Sequence, residues 1–104
     1  MIFEMRIYTI KIGQLNNYIN HFETIGMPII SKYATLVGYW HTEIGELNQV
    51  IHIWSYHDLN ERSQKRIELY KDSEWLTEFI PEAMNMLEKQ ESKILSAANF
   101  SPIK

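Results

Sequence analysis

Hydrophobic periodicity along this chain switches repeatedly between about 2 and about 3.6 residues, and the order of the switches leaves few architectures open. Residues 2–12 alternate: Phe3, Met5 and Ile7 fall on one face, Glu4, Arg6 and Tyr8 on the other. Gly13 ends that run. Leu15, Tyr18, Ile19, Phe22 and Ile25 follow at helical spacing from about Gln14, and Gly26 with Pro28 is expected to kink or end the helix. Residues 36–44 and 49–56 are β-rich, and the short interval Gly45-Glu46-Leu47-Asn48 between them predicts an antiparallel hairpin. Asp58-Leu59-Asn60-Glu61 has the form of a capping box and predicts a helix to about Lys71. Asp72 or Ser73 caps another helix. Ile80 before Pro81 predicts a break, and Pro81 opens a final helical stretch through Leu87. Residues 93–98 are the last expected strand.

The order β-α-β-β-α-β is the split-βαβ pattern and gives an α+β, ferredoxin-like fold: one four-stranded antiparallel sheet with both helices on one face. At 104 residues the chain is one domain, 1–104. The net charge of −3 and pI near 5.8 give no basic field for nucleic acid or anionic lipid. With no cysteine, thiol catalysis and zinc–thiolate or iron–sulfur sites are excluded. No apolar run of the ~18 residues that a spanning helix needs is present, so no membrane insertion is expected. The first residues carry no targeting pattern, and a cytoplasmic protein is expected.

Such a fold leaves one sheet face uncovered. In residues 49–56, Ile51 and Ile53 alternate with His52, Trp54 and Tyr56. Assigning the isoleucines to the helix-packed core places His52, Trp54 and Tyr56 beside Arg6 and Tyr8 on the open face. Aromatic residues make up 12% of the chain, and an exposed aromatic patch of this kind marks an interface or ligand site. A homodimer pairing two sheets, with a cavity between them, is the expected assembly.

The run Gly38-Tyr39-Trp40-His41-Thr42-Glu43-Ile44-Gly45-Glu46-Leu47-Asn48-Gln49-Val50-Ile51-His52-Ile53-Trp54-Ser55-Tyr56 resembles the central motif of NIPSNAP-family domains. So do the opening Glu4-Met5-Arg6-Ile7-Tyr8-Thr9-Ile10, the segments 58–62 and 72–75, and the closing Phe100-Ser101-Pro102. The resemblance covers essentially the whole chain. It implies the homodimeric α/β barrel, a ferredoxin-like fold paired sheet to sheet, and it brings no established catalytic residues to transfer.

The candidate ligand-binding residues are Arg6, Tyr8, His52, Trp54, Tyr56 and Arg62. Arg6 offers a fork of donors for an anionic or polar group, against the simpler reading of an Arg6–Glu4 pair. His52, flanked by aromatics, is a candidate general base, against a hydrogen-bonded interface histidine. Arg62 and Arg66, one helical turn apart, read as an anion clamp or as a solvated flank; Trp75 reads as a core or rim anchor, against a stacking platform for a ligand. If hairpin partners sum to 93, His41 lies opposite His52 with Glu43 diagonal, yet two imidazoles and one carboxylate without a spacing motif do not make a metal site, and no cofactor is expected.

Two functional readings follow. One is a non-catalytic module binding a small molecule or a protein partner in the cavity between dimerised sheets. The other is a small cofactor-free oxygenase-like or isomerase-like enzyme, with His52 as base and Arg6 holding a developing oxyanion.

Overall fold

A computed structural model describes all residues, Met1–Lys104. The chain runs β1 (Ile2–Ile10), α1 (Leu15–His21), a π-helical segment (Phe22–Gly26), α2 (Met27–Ile30), β2 (Thr35–His41) and β3 (Gln49–Tyr56). It continues with α3 (Leu59–Leu69), a second π-helical segment (Trp75–Phe79), α4 (Ile80–Met86) and β4 (Leu87–Leu95). The sheet order is β2-β3-β1-β4 with every neighbour antiparallel. This is the ferredoxin-like α+β fold anticipated from the periodicity.

Local chemistry sets the boundaries. Asp58 Oδ1 accepts from the Glu61 amide at 2.8 Å and starts α3; Glu61 reaches back one residue further than a capping box requires, to the His57 amide at 2.9 Å. Asp72 Oδ1 accepts from the Glu74 amide and opens the next helical pass, while its Oδ2 accepts from Lys32 Nζ and Tyr33 Oη. Neither proline ends its helix. Each follows a segment with i→i+5 bonding, Met27 N to Phe22 O and Ile80 N to Trp75 O, and this change of register lets the helix continue through Pro28 and Pro81. The two π-helical segments meet at Gly26. A Cβ there would stand 2.7 Å from Phe79 Cε1. His21 lies flat on Phe79, centroids 4.9 Å apart, and its Nε2 is 2.9 Å from the Phe79 carbonyl oxygen.

The last strand begins at Leu87, directly after α4, and not at residue 93. Its charged run, Glu88 to Lys93, disguises it in the sequence and suits an edge strand, where charge discourages further pairing.

The expected assignment of the two sheet faces is inverted. Glu4, Arg6 and Tyr8 pair with Trp54, His52 and Val50, and this set lies beneath the helices. Tyr18 meets Tyr8 edge-on with centroids 6.5 Å apart, and Phe22 packs on His52 and Trp54 at 6.0 and 6.4 Å. Tyr8, His52, Trp54 and Tyr56 are all buried. The face without helices is the aliphatic one, with Met5, Ile7, Ile51 and Ile53 half-buried. Trp40 lies over Gly38 on that face, where a glycine Cβ would collide with its ring. Lys89, Glu91 and Lys93 of β4 form its polar rim. The physical reason is reach. Long aromatic side chains bridge the gap between a sheet and its helices, and the charges among them are buried only because they are paired.

Candidate functional site

Between the sheet and the helices lies a cavity of about 210 Å³, and 16 of its 22 lining residues are hydrophobic. The sheet supplies its floor, including Arg6, Tyr8, His52, Trp54 and Tyr56; the roof comes from residues such as Phe22, Trp75, Phe79 and Ala83. Five of the six candidate binding residues therefore converge, but inside one chain and not between two sheets. Arg62 does not line the cavity. It stands behind it, with Nη2 2.7 Å from Glu4 Oε2. The Arg62–Arg66 clamp is not formed: Arg66 lines the cavity with its guanidinium over the Tyr70 ring, centroid distance 5.6 Å.

Glu4 is the hub of the polar end. It is completely buried, and its Oε2 accepts from Arg6 Nη1 at 2.8 Å, Arg62 Nη2 at 2.7 Å and Ser92 Oγ at 2.6 Å. Burial alone would push this carboxyl up; the hydrogen bonds from Arg62 and Ser92 and the charges of both arginines outweigh it and hold it at about 2. Arg6 also donates through Nε to Tyr8 Oη at 2.6 Å. Its place on the strand thus serves both the ion pair read from the sequence and the cavity wall. Ser92 was hidden in the charged run of β4, where nothing in the sequence marks it.

His52 is 2% exposed and lies between Tyr39, stacked at 4.6 Å, and Tyr8, edge-on at 4.8 Å. Trp54 Nε1 donates to its Nδ1 at 2.6 Å. An indole N–H only donates, so Nδ1 carries a lone pair and the ring proton sits on Nε2. Burial, helped by the Arg6 charge, pushes the imidazolium pKa down to about 3, so the ring is neutral at physiological pH. His52 Nε2 has no hydrogen-bond partner in the chain. It is a donor in this arrangement and not the general base suggested by its residue type.

Trp75 is the anchor expected of it, stacked on Phe79 at 4.3 Å, and its Nε1 is also unpaired. β2 ends at His41, so the link to β3 runs over residues 42–48 and not 45–48; Tyr39 stands opposite His52, while His41 is opposite Val50 and exposed. The His41–His52 pairing is thereby overturned, and no group of three or more His, Asp or Glu is placed to hold a metal ion. No helix is long and apolar enough to cross a membrane.

Comparison with known proteins identifies the family and agrees with the fold. The NIPSNAP family model matches residues 3–102. The chain is 35% identical over 95 residues to Protein NipSnap homolog 3A of Homo sapiens, covering 90% of this chain and 38% of that protein. It is 33% identical over 101 residues to a NipSnap homolog of Dictyostelium discoideum, covering 97% and 39%. The chain thus spans well under half the length of these curated relatives. Among solved structures, an uncharacterized NIPSNAP domain protein from Burkholderia xenovorans superposes with TM-score 0.93 at 37% identity, covering 98% of this chain and 99% of the other. A nipsnap family protein with unknown function from Agrobacterium tumefaciens gives 0.96 at 36%, covering 100% and 94%. The cofactor-independent oxygenase SnoaB of Streptomyces nogalater, at TM-score 0.60 and 10% identity over 97% and 96% of the two chains, shares the fold alone.

Proposed function

Because the chain belongs to the NIPSNAP family, whose solved members share this fold, we propose that it is a cytoplasmic module whose cavity holds one small, largely apolar molecule, while two chains pair through the aliphatic outer faces of their sheets. A cavity of about 150 Å³ lined by apolar side chains admits benzene, so one of about 210 Å³ takes a molecule of about nine non-hydrogen atoms. The observation that carries the reading is the unpartnered Nε2–H of His52 in the cavity wall. A buried donor left unpaired costs about 1–3 kcal/mol, which an acceptor atom on a bound molecule recovers.

The alternative, proton abstraction by His52 in an oxygenase-like or isomerase-like reaction, requires a free lone pair on the imidazole. Trp54 occupies Nδ1 and a proton occupies Nε2, which supports binding over turnover.

Ligand-observed NMR with monocyclic aromatic fragments tests the proposal on the wild type and on Ala83→Leu, which fills the cavity from α4. Fragments that bind the wild type and not the variant are expected. No binding, or equal binding to both, overturns it.

A further inference from the structure

We propose that the molecule this cavity takes is an anion: a carboxylate, phenolate or enolate carried on an apolar body. The inference rests on the cavity-binding reading above and adds the charge of the ligand.

Donors dominate the polar atoms left free in the wall. His52 Nε2–H and Trp75 Nε1–H have no partner, and an indole nitrogen only donates. Arg6 commits Nε to Tyr8 and Nη1 to Glu4, leaving Nη2 without a partner in the chain, and its side chain is 15% exposed. Tyrosine hydroxyls aside, the unpaired side-chain acceptors in the wall are Glu4 Oε1 and the amide oxygen of Gln90, whose own NH2 is a donor beside it.

Charge points the same way. Two guanidiniums, Arg6 and Arg62, face the single carboxylate of Glu4 and leave one positive charge in surplus. Lys65, which also lines the cavity, is balanced by Glu68 at 3.6 Å, whereas Arg66 has no acidic partner and lies on the Tyr70 ring. The cavity therefore carries net positive charge at an apolar site, where a full charge interacts more strongly than in water. A cationic ligand would meet the surplus positive charge of the Arg6–Glu4–Arg62 cluster and the unpaired Arg66.

Three molecules of the same shape separate charge from fit: benzoate, benzamide and benzamidine. Each is titrated into the intact protein and followed by the indole N–H resonances of its tryptophans. Trp54 and Trp75 line the cavity, and Trp40 lies on the opposite sheet face, so binding in the cavity shifts the first two and leaves the third unmoved. Benzoate is expected to bind at least about tenfold more tightly than benzamide, with benzamidine weakest. Arg66→Gln, a change at a half-buried rim position, is expected to weaken benzoate several-fold and leave benzamide unchanged. Equal or tighter binding of benzamide or benzamidine overturns the charge inference and leaves the cavity-binding reading standing. If none of the three shifts Trp54 or Trp75, the cavity-binding reading falls as well.

Discussion

Trp54 donates its indole N–H to His52 Nδ1 across 2.6 Å, with both side chains 2% exposed. The contact fixes a tautomer, and the tautomer is measurable. Long-range nitrogen–proton NMR at neutral pH should show His52 with Nδ1 unprotonated and Nε2 protonated; a proton on Nδ1 would contradict the assignment. Trp54→Phe strands the Nδ1 lone pair in a buried site and should cost about 1–3 kcal/mol beyond the lost packing.

Two buried groups give the protein an acid limit. His52 falls from 6.5 to about 3 in the fold, and Glu4 from 4.5 to about 2. Both values are lowered, so both contributions are present above the ordinary pKa and lost as pH falls. His52 begins to act near pH 6.5, when the unfolded chain takes up a proton that the fold refuses; Glu4 adds to the loss below pH 4.5. Each proton corresponds to about 1.4 kcal/mol per pH unit inside its window. Denaturant titrations should show stability declining from pH 6.5 downward in the wild type. In His52→Phe the decline should start nearer pH 4.5. If the variant keeps the wild-type slope between pH 6.5 and 5, His52 is not its source.

Gly26 is required by space and not by its backbone angle, since it sits in ordinary helical conformation. A methyl group there meets Phe79 Cε1 at 2.7 Å, and Phe79 is held between Trp75 and His21. Gly26→Ala should therefore destabilise the protein by about 1–3 kcal/mol, despite alanine's better helix propensity. Adding Phe79→Leu should return part of that loss. An alanine variant as stable as the wild type would show that Phe79 moves freely.

The half-buried aliphatic face predicts assembly. Light scattering should give twice 12.4 kDa. Ile53→Asp places a charge in the middle of that face and should yield a folded monomer. Because Ile53 points away from the cavity, fragment binding by the monomer should persist. A dimer that tolerates the aspartate would move the interface elsewhere.

Much of this structure was legible in the residues. Alternation in residues 2–10 and 49–56, the short link between β2 and β3, and the caps at Asp58 and Asp72 are local signals, and each matches an observed element. The inverted faces were not legible. Period-two alternation distinguishes two sides of a strand without saying which is covered. Here Ile51 and Ile53 look more core-like by hydrophobicity than His52, while Glu4 and Arg6 look exposed until Arg62 and Ser92, distant in sequence, are brought against them. Five of the six candidate residues still line one cavity because they share one face, whichever face that is. The register at His41 escaped because the composition of residues 42–44 is β-like although pairing stops at His41, and a longer hairpin link moves every cross-strand partner.

The chain uses the two sides of one sheet for different purposes, with rings and charges turned inward and plain aliphatic side chains outward. On the proposed reading, recognition and assembly fall to alternate residues of the same strands. A substitution at Met5, Ile7, Ile51 or Ile53 would then alter how copies gather, and one at Arg6, Tyr8, His52 or Trp54 what each copy holds. Ligand and partner geometry could then change independently, without rebuilding the fold.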